Sequence, residues 1–203
     1  MEIRSKRLIL REFTPADIPA VEAYHAHPDY SRFLPWEGDG QSNAEEFVTK
    51  CIRRAEEPRR ILYQFAITLP TGEIVGSTGL KLNPNHPYEA HFACELNPSY
   101  WGRGYGSESC HAMMEFGFRT LDLHRIYSQV TAQNRAAVRM LMTAGMQREG
   151  LFRENRFFAG HWWDALSYGM LAREWKSAKE IDHEKNTMHP FATKGERDEG
   201  DEA

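Results

Sequence analysis

The sequence predicts an α/β domain, because segments with strand periodicity and segments with helix periodicity follow one another from residue 3 to residue 176. Two strands, 61–68 and 73–82, are joined by Pro70-Thr71-Gly72, which is typical of a hairpin turn. Residues 89–97 then continue the sheet as an antiparallel strand, and a glycine-rich turn follows. The predicted order of elements is βααβββαβαββ.

The first part of the chain is predicted to hold one strand and two helices. Leu8 and Leu10 alternate with charged neighbours, as in a half-buried strand. Thr14-Pro15-Ala16-Asp17 combines an N-cap, a proline at the first helical position and an acidic first turn, which indicates a helix. Residues 42–45, Ser-Asn-Ala-Glu, form a capping box that opens a second helix, to about residue 57.

The second half of the chain alternates helices and strands, with glycines at their ends. Gly145 ends one helix, and Ala159-Gly160 forms the turn of the last hairpin. The predicted elements here are helices at 107–120 and 135–144 and strands at 125–132, 147–158 and 161–171.

Three glycines at alternate positions, Gly102, Gly104 and Gly106, lie between the strand 89–97 and the helix 107–120. A strand that enters a helix through such a turn leaves backbone N–H groups unpaired at the helix start, where the helix dipole also favours an anion. No lysine follows as a P-loop requires, and Gly-x-Gly-x-Gly is not the dinucleotide fingerprint. The turn predicts a ligand that carries phosphate.

The turn Tyr100-Trp101-Gly102-Arg103-Gly104-Tyr105-Gly106 resembles the acyl-CoA pyrophosphate loop of the GNAT superfamily of N-acetyltransferases. Trp101 in its first position is typical of the RimJ/RimL-like branch. Further matches follow in the same order as in that branch. They are residues 5–11, Asn134 with Gly145-Met146, residues 160–164 and Glu174-Trp175. The resemblance covers residues 3–176.

The resemblance implies the GNAT fold, a mixed and mostly antiparallel sheet flanked by helices and splayed at the acetyl-CoA site. It also implies acetyl-CoA as cosubstrate, no metal, and direct attack of a primary amine on the thioester in a ternary complex. The acceptor would be a protein N-terminus or a small-molecule amine, and a homodimer is compatible with the family. The alternative is a non-catalytic CoA-binding module, because Ala137 and Leu141 replace hydroxyl side chains that the family carries.

Composition bounds these expectations. At 203 residues and 41% hydrophobic content, residues 1–176 are expected to form one domain. The tail 177–203 holds four basic and eight acidic residues, which accounts for the net charge of −4, and is expected to be disordered. We expect no membrane span and no nucleic-acid partner, since long apolar runs and basic stripes are absent from the sequence. Three cysteines without paired spacing favour reduced thiols and a cytoplasmic protein.

The cofactor-binding residues follow from the resemblance. Leu96 would polarise the thioester carbonyl through its backbone N–H, although an ordinary core leucine would look the same. Asn134 would bind the CoA arm, and asparagine is also a common helix N-cap. The pyrophosphate would lie against the turn, that is Arg103, Gly104, Tyr105, Gly106 and Ser107.

The catalytic candidates lie on one face of the strand 89–97, because side chains alternate along a strand. His91 is the first choice as general base, with an ordinary pKa near 6.5, followed by Glu95 and then Glu89. The proton donor for the CoA thiolate is left open between Tyr168, solvent and the product ammonium. The acceptor is expected to contact loop aromatics and one acid, namely Tyr30, Phe33, Trp36, Trp163 and Asp164.

Overall fold

The computed structural model describes residues 1–33 and 43–175. Within these residues the strands are β1 Glu2–Arg4, β2 Ile9–Arg11, β3 Leu62–Thr68, β4 Ile74–Asn83, β5 His86–Leu96, β6 Arg125–Thr131, β7 Gln147–Phe158 and β8 His161–Leu171. The helices are α1 Ile18–His25, α2 Ala44–Ala55, α3 Tyr105–Glu115 and α4 Arg135–Thr143. Trp36, Ser42 and the predicted tail 177–203 lie outside the described residues.

All eight strands form one sheet in the order β1-β2-β3-β4-β5-β6-β8-β7. Every neighbouring pair is antiparallel except β5 and β6, which run parallel. The predicted mixed, mostly antiparallel sheet is confirmed.

The parallel pair β5–β6 is hydrogen-bonded over a short stretch only. Its register runs from Glu89 opposite Arg125 to His91 opposite Tyr127. Beyond that point β5 continues to Leu96 and β6 to Thr131 without pairing to each other. The two strands therefore separate into a gap, which we call the opening, and the predicted splay is present.

The helices cover the two faces of the sheet separately. On one face, α3 and α4 pack on a core that includes Phe92, Ile126 and Leu141, all fully buried. On the other face, which we call the α1 face, α1 and α2 pack over Ala66 through Val21 and Val48. The opening connects the two faces near the middle of the sheet.

Several element boundaries differ from the sequence prediction. The single first strand is a hairpin, since the N–H of Ser5 donates to the carbonyl of Leu8 at 2.9 Å and turns the chain between β1 and β2. The N-cap of α2 is Asn43 instead of Ser42, because its Oδ1 accepts from the N–H of Glu46 at 2.9 Å. α3 begins at Tyr105, and its final turn, Phe116–Thr120, is π-helical. No helix within the described residues is long and apolar enough to cross a membrane.

Candidate active site

The glycine turn is built from backbone that side chains rarely tolerate. Gly102 and Gly104 have φ of +76° and +80°, and Gly104 is the N-cap of α3. Gly106 serves a different purpose, since a Cβ there would lie 3.1 Å from Sδ of Met140 and 3.3 Å from Cδ1 of Leu96. Two of the glycines therefore shape the turn, while the third lets α3 approach α4 and β5.

The first turn of α3 offers unpaired donors. The N–H of Glu108 donates to the carbonyl of Gly104 as the first intrahelical bond. Among the described residues, no acceptor lies within hydrogen-bond reach of the N–H groups of Tyr105, Gly106 and Ser107, and no side chain caps the helix. Three donors at the positive end of a helix dipole form an anion site.

Arg7 holds the glycine turn in place from the N-terminal hairpin. Its Nη1 donates to the carbonyl of Arg103 at 3.0 Å, and its Nε lies 2.7 Å from Oε2 of Glu108. The hydroxyl of Ser5 donates to the other carboxylate oxygen of Glu108 at 2.7 Å. These bonds lower the pKa of Glu108 despite the opposing effect of its burial. These contacts attach the glycine turn and the start of α3 to the N-terminal hairpin.

Arg103 is exposed at the outer side of the turn. Its guanidinium lies 5.0 Å from the centre of the Tyr100 ring and donates to the carbonyl of Ser99 at 3.3 Å. Within the described residues it forms no ion pair with a carboxylate. Its charge is available to a phosphate beside the turn.

The end of β5 presents backbone donors to the opening. The N–H of Asn97 donates to the carbonyl of Val75 on β4 at 2.9 Å. Because successive N–H groups of a strand point to opposite edges, the N–H groups of Leu96 and Cys94 point away from β4 and into the opening. The carbonyl of Leu96 points the same way, as shown by the bond it accepts from Nε1 of Trp101 at 3.0 Å. Sequence reasoning found Leu96 but missed Cys94.

Asn134 is the N-cap of α4, and its Oδ1 accepts from the N–H of Ala137 at 3.1 Å. Asn134 therefore caps the helix, as the alternative interpretation predicted, and its side-chain amide nitrogen is still available to donate to a ligand. Leu141 is fully buried, and Tyr168 is only 3% exposed in the core beneath α3 and α4. The phenol of Tyr168 is thus a poor candidate for protonating a thiolate in the opening.

Glu95 is the centre of a hydrogen-bond network on the α1 face. The phenols of Tyr24 and Tyr30 donate to its two carboxylate oxygens at 2.9 and 2.5 Å, and the hydroxyl of Ser77 donates at 2.8 Å. Nε2 of His25 lies 3.6 Å from the same carboxylate. Burial alone would raise the pKa of Glu95, but the neighbouring His25 imidazole and the hydrogen bond from Tyr30 outweigh it and lower the pKa.

This network makes Glu95 a weak base, and it gives the residue a structural role. A carboxylate whose charged form is so well solvated by donors has little affinity for a further proton. Its partners come from β4, α1 and the short helix Tyr30–Phe33, so it joins these elements to β5. The same charge raises the pKa of Tyr24 and Tyr30, whose burial also disfavours ionisation.

His91 lies at the last paired position of β5 and β6, where the opening begins. Its ring centre is 5.3 Å from that of Tyr127, a phenol that sequence reasoning missed. Burial lowers the pKa of His91, and the positive charges of Arg156 and Lys81 lower it further. At neutral pH the imidazole is therefore neutral and able to accept a proton.

The acceptor-side aromatics fall into two groups. Tyr30 is 5% exposed and stacks on His25 with ring centres 4.5 Å apart, so it is part of the packed wall. Phe33 and Trp163 meet edge to face at 6.1 Å, across the gap between the short helix Tyr30–Phe33 and β8. The structure brings these two together, and Trp36 lies outside the described residues.

Asp164 has a structural bond. Its Oδ1 accepts from the N–H of Glu154 at 2.8 Å, and its carbonyl accepts from the N–H of Ala132 at 2.9 Å. Glu154 has a φ of +48° within the irregular stretch of β7, so Asp164 stabilises this local distortion. Its role in holding a cationic acceptor stays a prediction.

Arg156 on β7 belongs to the same neighbourhood and was missed by sequence reasoning. It is opposite Trp163 on β8, and its Nη2 lies 3.5 Å from the carbonyl of Gln129 on β6. The N–H of Ala132, three residues further on, pairs with β8, and backbone groups alternate between the two edges of a strand; the carbonyl of Gln129 therefore points away from β8 and into the opening. Nothing in the local sequence distinguishes Arg156 from the exposed Arg153 beside it.

A glycine turn with unpaired N–H groups, placed at the end of a splayed parallel strand pair, is the arrangement expected of an N-acetyltransferase. Residues 7–147 match the family model described as "Acetyltransferase (GNAT) domain". The chain therefore belongs to the GNAT family and is an acetyltransferase, which confirms the resemblance.

Individual relatives agree with this assignment. The chain is 32% identical over 175 residues to the "uncharacterized N-acetyltransferase YnaD" of Bacillus subtilis (strain 168), covering 86% of this chain and 99% of the relative. Two solved structures share the fold at 20% identity. One is RimL, a ribosomal L7/L12 alpha-N-protein acetyltransferase in complex with coenzyme A, with a TM-score of 0.73 over 84% of this chain and 98% of that one. The other is spermidine N-acetyltransferase from Vibrio cholerae with CoA and spermine, with a TM-score of 0.72 and the same coverage.

Proposed function

We propose that this protein transfers the acetyl group of acetyl-CoA to a primary amine, by direct attack while both substrates are bound. The observation that carries this proposal is the opening between β5 and β6. At one end of it the glycine turn offers an anion site, and at the other end His91 lies on the α1 face. A thioester in the opening would meet an amine held on that face.

The donor would be held mainly by backbone groups. The pyrophosphate would lie against the N–H groups of Tyr105, Gly106 and Ser107, with Arg103 adding charge. The CoA arm would then run along the opening past Asn134. The N–H groups of Leu96 and Cys94 point into the opening, where they can stabilise the oxyanion that forms on the thioester carbonyl.

His91 is the proposed general base. The amine must lose a proton to attack, and a neutral imidazole accepts it at neutral pH. In the next step the nitrogen bonds to the carbonyl carbon and the carbon–sulfur bond breaks. The CoA thiolate then takes a proton from solvent or from the product ammonium, since Ala137 carries no hydroxyl and Leu141 is buried.

A covalent acetyl-cysteine intermediate is disfavoured by the state of the thiols. The thiolate is the nucleophilic form, and a raised pKa suppresses it. Burial raises the pKa of Cys51 to about 12 and that of Cys94 to about 11, and it raises the pKa of Cys110 as well. Direct attack predicts intersecting lines in double-reciprocal plots, whereas an acyl-enzyme would give parallel ones.

The acceptor class within this proposal is a protein N-terminus or a small-molecule amine. The structural neighbours RimL and spermidine N-acetyltransferase act, by their names, on one acceptor of each kind. A cytoplasmic location and a homodimer remain predictions of the sequence.

The decisive test is release of the free CoA thiol from acetyl-CoA in the presence of an amine panel. The panel should contain N-terminal peptides, amino acids and polyamines, with acetylated product identified by mass spectrometry. We expect turnover with at least one acceptor and none with the acceptor omitted. Tight CoA binding without turnover on any amine would contradict the proposal and favour a non-catalytic CoA-binding module.

A further inference from the structure

The charges on the α1 face beside the opening are unevenly matched. Arg125 pairs with both Glu89 and Glu149, so both carboxylates already have a partner, with one negative charge in excess. The carboxylate of Glu95 is covered by two phenols and a hydroxyl. These three carboxylates are therefore already bound to partners within the protein.

Arg156 is a half-buried charge on this face with no carboxylate partner among the described residues. It is half-buried, yet within residues 1–33 and 43–175 it forms no ion pair, and its one hydrogen bond, to the carbonyl of Gln129, is long at 3.5 Å. Its partial burial removes water from the charge and lowers the pKa of the guanidinium. A partly desolvated arginine without a carboxylate gains much from an incoming anion, which its planar fork can bind with two bonds.

The position of Arg156 links it to the reaction. Its charge acts on His91, together with that of Lys81, which lies opposite His91 on β4. Between His91 and Glu95 the face is open, since Ala93 is exposed although it lies on a central strand. An acceptor bound over Ala93 would have its amine near His91 and another of its groups near Arg156.

We propose that the acceptor is an amine that also carries a carboxylate, and that Arg156 binds this carboxylate and sets the specificity. This inference rests on the proposed function. It selects amino acids or peptides with an acidic group near the amine, and it disfavours polyamines, because Arg156 and Lys81 place positive charge beside the base.

The test compares acceptors in matched pairs that differ only in charge. Glycine, β-alanine, γ-aminobutyrate and aminohexanoate are each assayed against the corresponding amide, and a tripeptide that begins Ser-Glu against one that begins Ser-Gln. The wild-type protein should give a kcat/KM at least about tenfold higher for the carboxylate in the best pair, as expected for a charged hydrogen bond. Turnover of one of the amino acids would indicate a small-molecule acceptor, and its length would give the spacing between amine and carboxylate. Turnover of the peptide alone would indicate a protein N-terminus.

Arg156→Gln assigns the preference to the residue. It should lower kcat/KM for the preferred carboxylate about 10- to 100-fold, mainly through KM, and change that for the amide by less than about threefold. Arg153→Gln, which removes the same charge from an exposed site on the same strand, should change neither.

Three results would overturn the inference while leaving the acetyltransferase in place. They are equal rates with acid and amide, a preference for spermidine, or an equal loss on both members of a pair in Arg156→Gln. The last would mean that the guanidinium acts on the thioester instead of the acceptor. Failure of the proposed function itself would look different, because no acceptor of any charge would then release the thiol.

Discussion

In the proposed function, the two sides of the opening bind their substrates by different means. On the donor side, the glycine turn offers backbone N–H groups of Tyr105, Gly106 and Ser107. On the acceptor side, the contacts come from side chains, among them His91 and Arg156, which converge from different strands. Backbone recognition depends on a local conformation and tolerates changes of side chain, whereas side-chain recognition changes with every substitution. We therefore expect binding of the donor to tolerate side-chain substitutions better than binding of the acceptor.

The largest expected effect separates chemistry from binding on the acceptor side. His91→Ala should lower kcat about 100-fold, because the amine loses its proton acceptor. The acidic limb of the pH–rate profile should disappear as well. In the wild-type protein this limb should lie below the ordinary histidine value, since burial, Arg156 and Lys81 all lower the pKa of His91.

The control for this variant is His86→Ala, at the exposed start of the same strand. It should leave both kcat and the profile unchanged. A normal profile in His91→Ala would transfer the base role to another group or to solvent.

The next effect tests the donor side. Gly104→Val should raise the dissociation constant of acetyl-CoA at least about tenfold, because a β-branched residue at a φ of +80° distorts the turn that presents the N–H groups. Isothermal titration calorimetry measures the change. Gly72→Val is the matched control, since Gly72 has a φ of +89° with open space around it, in the turn between β3 and β4. If both variants bind acetyl-CoA like the wild type, the turn is not the CoA site.

A smaller effect tests whether Glu95 has a structural role or acts as the base. Glu95→Gln should lower the free energy of unfolding by about 2 kcal/mol, because it removes a charged acceptor from Tyr24, Tyr30 and Ser77. The native pKa of Glu95 is below its unfolded value. The stabilisation is therefore fully present above the unfolded pKa and is lost as the pH falls through the native pKa.

Chemical denaturation at pH 7 and pH 4 checks this sign, with the exposed Glu115→Gln as control. The difference between wild type and Glu95→Gln should shrink at the lower pH. A Glu95→Gln variant of unchanged stability but abolished kcat would instead make Glu95 the base.

The smallest effect connects Arg156 to His91. In Arg156→Gln one of the positive charges that lower the pKa of His91 is gone, so this pKa should rise. The acidic limb of the pH–rate profile should move to higher pH by less than about one unit. It should be measured with an acceptor that carries an amide in place of the carboxylate. Arg153→Gln should not move it. An unmoved limb in Arg156→Gln would mean that the guanidinium and the imidazole do not interact in the working enzyme.

The same contrast explains what the sequence could predict. The strands and helices follow from local periodicity, and the glycine turn follows from glycines at positions where the backbone requires them. The predicted order of elements was right apart from the first hairpin. The partners of Glu95 could not be found in this way, since Tyr24 and Tyr30 are 71 and 65 positions away and meet it only through packing of α1 on the sheet. Arg156 gives no local signal at all, because its position beside the opening depends on the pairing of β7 with β8 and of β8 with β6.

The most direct test of the central claim, that donor and acceptor meet in the opening, is a crystal structure of the protein with CoA. We expect pyrophosphate oxygens about 3 Å from the N–H groups of Tyr105, Gly106 and Ser107. It also predicts that the CoA arm lies between β5 and β6 with its sulfur towards the side of the sheet that bears His91. CoA bound elsewhere on the molecule, with the opening empty, would contradict it.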